Sequence, residues 1–319
     1  MPAFRLNPQF HARVWGGQRL HASPQPIGEA WVVFEGDVIA DGPNAGRTLG
    51  ALAATEGEAF LGKKPIRRTG LRVPLLIKLL DCRDWLSVQV HPNDDQAVTL
   101  EGPDQFGKTE AWHILEADPA AEIIVGMRAG VSAEQLALAV RGAADGSAPG
   151  RTGLLPLMQS VPARPGDTFF IRAGTLHALG PGLLLYEVQQ TSDITYRVWD
   201  WDRPAKAGRE LHVEKSLAVI DRGLSGRAEA VLDEAAPRVR TLTRCEYFEL
   251  QRLTPAGRAV ALDTRGDSFQ AVTCVAGQIT VSGAGWTLEL GTLESAVVPA
   301  DVGAFSVGGS GEALRAFVP

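Results

Sequence analysis

The 319-residue chain is 45% hydrophobic and 21% charged, a globular rather than a disordered balance. A net charge of −6 excludes a general nucleic-acid-binding surface, so any anion site must be a local basic pocket. No run approaches the roughly 20 apolar residues of a membrane span. Cys82, Cys245 and Cys274 are odd in number and in no CxxC pair, which predicts a reducing compartment without disulfides. Met1–Leu6 has no secretory-type apolar stretch, so the expectation is a cytoplasmic protein. With 35 Gly and 20 Pro the chain is rich in turns, which favours a mainly β architecture.

In chain order, residues from about Ala30 to Phe34 read as a strand, and Thr48 is placed to cap a helix through Leu61. Leu71 to Asp81 is nearly all apolar, as a strand buried on both faces is, and Lys78 within it needs a partner or a ligand. Leu86 to His91 alternates with period two, so Ser87, Gln89 and His91 share one face and Leu86, Val88 and Val90 the other. Around Lys108–Trp112 a further strand puts Lys108 and Glu110 together and turns His113 away from Glu110. Ser132-Ala133-Glu134-Gln135 is a capping box opening a helix to about Arg141, and Gly142–Gly153 reads as a loop. Thr168–Arg172 is a strand, and the turn Ala173-Gly174-Thr175-Leu176 after it delivers His177.

From Phe248 onward the pattern changes to short, Gly-punctuated strands at Phe269–Val275, Gln278–Ser282, Trp286–Leu290, Ala296–Pro299 and Leu314–Val318. Their even spacing predicts a second small barrel or sandwich. A boundary near Pro237 divides the chain into residues 1–236, with short helical insertions and all six histidines, and 237–319, which contains none.

The spacing of Gln89, His91, Glu110 and His177 fits one metal on the inner face of a β-barrel. Nitrogen and oxygen donors from three strands suit a borderline divalent ion such as zinc. Ser87 and Lys108 each lie two residues before a donor, so the strand period puts both beside that ion. His11, His21, His113 and His212 have no partner at ligand spacing and read as structural. On its own, Arg197 reads as half of a surface ion pair with Asp193, Asp200 or Asp202.

Gly166-x5-Arg172-x-Gly174-x2-His177 is similar to the second motif of cupin barrels, departing where that motif has proline and a final asparagine. The runs Leu86–Asp94, Gly107–Trp112, Gly174–Leu179 and Gln189–Arg203, with Trp15-Gly16-Gly17 and Arg209–Ser216, resemble the class I mannose-6-phosphate isomerases, closest to their short bacterial branch. The resemblance covers most of the first 220 residues. Trp199 and Trp201 stand where tyrosines are common, an exchange that leaves the metal set untouched but bears on which sugar fits. It implies two cupin-type jelly-roll β-barrels with a few short helices. It implies one zinc per chain on Gln89, His91, Glu110 and His177, Arg197 as the catalytic arginine, and Ser87 and Lys108 lining the pocket of a sugar phosphate. Two rival readings stay open, a metal cupin oxygenase and a non-catalytic sugar-phosphate-binding cupin. Gln89 in place of a first-motif histidine disfavours the oxygenase, and intact Lys108 and Arg197 disfavour the sensor.

Overall fold

The computed structural model describes residues 1–203, 209–228 and 238–319, and the boundary expected at Pro237 falls outside them. Four antiparallel sheets carry the fold. In the first half, a six-stranded sheet runs Thr168–Ile171, Glu110–Ala117, Leu183–Gln190, Leu75–Cys82, Gln9–Gly17 and Ile27–Val33. It faces a five-stranded sheet of Tyr196–Trp199, Val88–Val90, His177–Leu179, Glu122–Met127 and Met158–Pro162. Trp112, Ile114, Leu185, Ile123 and Leu179 pack between these two sheets. The second half pairs a seven-stranded with a four-stranded sheet over Val272, Ile279, Val281, Leu290 and Val307. Each expected barrel is thus a sandwich of facing sheets rather than a ring closed by hydrogen bonds.

The back of the six-stranded sheet packs on the seven-stranded one through Ile77, Leu79, Tyr186 and Val188 against Leu250, Ala271, Leu314 and Ala316. Leu75–Cys82 and Leu183–Gln190 are buried along their whole length because both their faces are covered. The chain's first strand, Phe4–Asn7, does not join the sheets of the first sandwich. It pairs with Ser295–Val298, Phe4 opposite Val297, and so extends the second sandwich's sheet.

Several boundaries differ from expectation for identifiable reasons. Thr48 does cap a helix, its side chain accepting from the Ala51 N–H, but Gly57 at φ 50° splits that helix into Leu49–Glu56 and Glu58–Leu61. The strand expected from Leu71 starts only at Leu75, since Pro74 has no N–H to give a ladder. The capping box at Ser132 forms as expected, yet its helix continues to Asp145, where Gly146 ends it in the left-handed conformation. Gly150–Gly153 is a further short helical turn, so most of the expected loop is helical. Ala143 and Ala144 favour that extension. Leu86 sits with the inner cluster rather than with Val88 and Val90, because the ladder begins only at Val88.

Candidate active site

Strand alternation in the five-stranded sheet sends Val88, Val90 and Ala178 outward, against the helix Ala133–Asp145, and leaves Gln89 and His177 on the inner face. Gln89 lies opposite His177 on one side and Arg197 on the other, so the three form a row across neighbouring strands. The facing six-stranded sheet supplies a second row, Lys78 opposite Glu187 and Glu187 opposite Trp112, with Glu110 one pleat further along. Gly174, at φ 88°, makes the turn before His177 and donates its N–H to the His91 carbonyl at 2.8 Å, tying the two histidine-bearing segments together.

The two rows converge on a buried cluster. His91, Glu110 and His177 each offer one donor atom within 4.8 Å of the others, and all three are at most 1% exposed. Glu110 Oε1 is 3.3 Å from His177 Nε2, and Oε2 is 3.6 Å from His91 Nε2. Each imidazole is oriented from behind. His91 Nδ1–H donates to the Ile194 carbonyl and His177 Nδ1–H to the Thr175 carbonyl, both at 2.8 Å. That fixes the tautomer and turns both Nε2 lone pairs toward Glu110. Burial and the nearby Lys108 hold His91 well below its usual range, and burial brings His177 down to about 4, so both are neutral donors at pH 7.

The donor set fits a divalent cation. Neither buried Glu110 oxygen accepts a well-aligned hydrogen bond from protein, and the Lys108 ammonium is drawn in among the donors, 2.9 Å from Glu110 Oε2 and 3.1 Å from His91 Nε2. Three converging acceptors with only a lysine to balance them are what a metal site needs. Gln89 presents its amide 3.2 Å from His177 Nε2, with nitrogen nearest. A half-turn of that amide would offer the oxygen, the atom an ion requires.

A cavity of about 520 Å³ adjoins the cluster through Gln89 and Lys108, and is lined also by Ser87, Glu187 and Arg197. A larger cleft of about 830 Å³ over Phe170, Arg172 and Arg240 holds no comparable donor cluster among the described residues, so the chemistry belongs to the smaller cavity. Arg197 makes no ion pair among the described residues, contrary to the surface-bridge alternative. Its Nε donates to Ser87 Oγ at 3.2 Å and its Nη1 to the Glu210 carbonyl at 3.0 Å, leaving the charge for the cavity. Burial, with help from Arg209, lowers its pKa. Burial would lower Lys108 too, but Glu110 and Glu187 together hold it above its usual range.

Sequence reasoning brought Ser87, Gln89, His91, Lys108, Glu110, His177 and Arg197 forward, and the structure gathers all seven around one space. It missed three contributors. Glu187 lies inside a run of eight buried residues, with no local signal beyond being a lone charge there. It accepts from Trp112 Nε1 at 2.9 Å and meets Lys78 at 3.5 Å. Burial and Glu110, on the neighbouring strand, raise its pKa. Lys78, flagged only as needing a partner, finds Glu187 and stacks over Trp31. His212, read as unpartnered, accepts the Arg197 backbone N–H at 3.2 Å and so helps to hold that residue. His113 faces away from Glu110 as expected and meets Thr168 Oγ1 at 2.9 Å.

Stacked two-sheet barrels with a His–Glu–His cluster beneath a cationic cavity define a metal-site protein of the cupin type. The model of the phosphomannose isomerase type I catalytic domain matches residues 3–111, which include Gln89, His91, Lys108 and Glu110. A mannose-6-phosphate isomerase of Streptococcus mutans is 34% identical, with 86% of each chain covered. ManA, a mannose-6-phosphate isomerase of Bacillus subtilis, is 36% identical over 80% of each. The crystal structure of a mannose 6-phosphate isomerase from Bacillus subtilis superposes with a TM-score of 0.83 at 29% identity, covering 99% of both chains. The chain belongs to the type I phosphomannose isomerase family.

Proposed function

We propose that the chain interconverts mannose 6-phosphate and fructose 6-phosphate, with one zinc held by His91, Glu110 and His177 and completed by Gln89. The observation that carries this is the fully buried His–Glu–His set directly behind Gln89 and Lys108, which with the unpaired Arg197 line a cavity. When bound, zinc supplies a Lewis acid for the sugar's oxygens. Isomerisation moves one proton from C2 to C1 and one from the C2 hydroxyl to the C1 oxygen, so it needs no oxidant or reductant.

Arg197, steadied by Ser87 and the Glu210 carbonyl, is the fixed positive group that favours the enediolate as charge develops. Lys108 and Arg197 carry the charge that a phosphate dianion requires in an acidic protein. Glu187 is the carboxyl suited to proton transfer, because its raised pKa moves it toward neutrality while both histidines are pulled away from it. Free Cys82, Cys245 and Cys274 accord with work in the cytoplasm. No helix among the described residues is long and apolar enough to cross a membrane.

A coupled assay tests the reading. Mannose 6-phosphate should yield fructose 6-phosphate, a chelator should stop the reaction, and zinc should restore it. Sugar-phosphate binding without turnover would favour the sensor reading, and oxygen consumption with a redox metal would favour the oxygenase.

A further inference from the structure

The second barrel has a cavity of its own, about 490 Å³, at the mouth between Ala261–Asp263 and the strand Glu312–Phe317. Arg315 and Gln270 lie on neighbouring strands and both line it. Val272 is opposite Arg315, and Gln270 is one pleat from Val272, so both side chains project from the inner face of the seven-stranded sheet. Arg315 is 8% exposed and Gln270 2%, yet each has an orphan atom, Arg315 Nε and Gln270 Oε1. The Gln270 amide is oriented by its Nε2 donating to the Asp263 carbonyl at 3.2 Å, which leaves Oε1 as the free acceptor.

Two other partly covered arginines, Arg19 and Arg252, are neutralised by carboxylates. Arg19 meets Asp81 at 2.6 Å and Arg252, on the strand next to Arg315, meets Glu312 of Arg315's own strand at 2.6 Å. Arg315 has no carboxylate within ion-pair distance among the described residues. Its guanidinium lies over the Phe317 ring, 4.5 Å from the centroid. Stacking on a ring returns less than it costs to take a guanidinium out of water. A residue kept for packing alone would be met by an apolar side chain, as at most inward positions here. Burial lowers the Arg315 pKa to about 10, against the weak pull of Glu249, and the group is still charged at pH 7.

We propose that this cavity is a binding site for a small hydroxylated anion, a carboxylate or phosphate ester whose charge is taken by Arg315 and whose hydroxyl donates to Gln270 Oε1. The two orphan atoms dictate the class: a donor-only fork requires an anion, and a free amide oxygen requires a hydroxyl or N–H. Lys64, Arg265 and Arg315 against Asp263 and Asp267 leave the rim with one excess positive charge, of which Lys64 and Asp267 already pair at 3.2 Å. The site lies in the barrel that lacks the metal cluster, so it does not depend on the proposed reaction.

Calorimetric titration of the metal-loaded, full-length protein with inorganic phosphate and with glycerate is the test. Wild type should show two anion sites per chain, one lost in Arg197→Ala and the other in Arg315→Met. Arg315→Met should retain kcat/KM for mannose 6-phosphate and gain rather than lose thermal stability when no anion is added. Gln270→Leu keeps the guanidinium, so it should weaken glycerate by on the order of tenfold while leaving acetate unchanged. A single site in wild type that survives Arg315→Met, or equal glycerate affinity in Gln270→Leu, would overturn the proposal. Should Arg315→Met fail to fold, Gln270→Leu decides alone.

Discussion

The two barrels enclose cavities of similar size, about 520 and 490 Å³, on opposite chemical terms. The first buries Lys78, His91, Lys108, Glu110, His177 and Glu187, each at most 5% exposed. The second fills its interior with Val272, Cys274, Ile279, Val281, Leu290 and Val307 and, among the described residues, leaves Arg315 as its one buried charge without an ion pair. The contrast shows the condition on which a β interior tolerates ions. In the first barrel each buried lysine has a carboxylate within about 4 Å, Lys78 at Glu187 and Lys108 at Glu110, the range over which Coulomb attraction offsets desolvation. Its charges are poised against one another, and this makes the cavity able to take a cation and an anion together.

The contrast breaks most completely if the histidines are removed. His91→Ala or His177→Ala should drop metal content from about one per chain to near zero and abolish turnover, while leaving the second barrel's core intact. Elemental analysis alongside the coupled assay checks this, and full occupancy in either variant would remove the assignment. A smaller effect follows from Arg197, whose charge has no protein carboxylate to answer it. Arg197→Ala should cut turnover on the order of 10²-fold with metal retained, as for a lost oxyanion donor. Arg197→Lys should recover little, because an ammonium lacks the planar fork. Unchanged turnover in the alanine variant would leave that charge without a role.

The smallest effect sharpens the comparison at the seam between the barrels. His113 projects from the back of the six-stranded sheet toward the second barrel, and burial, aided by Arg252, lowers its pKa to about 4. The unfolded chain titrates near 6.5, so between those values it binds more protons than the native state. The His113 contribution is therefore present above about pH 6.5 and is lost as pH falls toward 4, up to about 3 kcal/mol at one pH unit per 1.36 kcal/mol. Denaturation midpoints at pH 7 and pH 4.5 should diverge less in His113→Gln than in wild type. Equal divergence would place the pH sensitivity elsewhere.

Much of the site was legible because strand alternation is a local rule. Gln89 and His91 announce their shared face by spacing alone, and Lys108 and Glu110 do the same. What linked these pairs to His177 and Arg197 was the resemblance of longer motifs, since no periodicity relates residues 86 positions apart. Glu187 escaped because its strand reads as uniformly buried, and a charge there carries no sign of which face it takes. Arg315 escaped for the same reason, and its lack of a carboxylate partner is a fact about neighbours, not about sequence.

By itself, then, the sequence determined local periods: which stretches form strands, where Thr48 and Ser132 start helices, and which side chains share a face. These follow from bonding geometry within a few residues, where each choice costs or gains a kcal/mol or so. Only the tertiary structure decided which faces meet. It sends Phe4–Asn7 to the far sheet, sets Glu110 between two histidines from the opposite sheet, and pairs Lys78 with Glu187 while leaving Arg315 alone. The physical reason is that burial and charge pairing are properties of a neighbourhood, and that neighbourhood is assembled from segments distant in the chain.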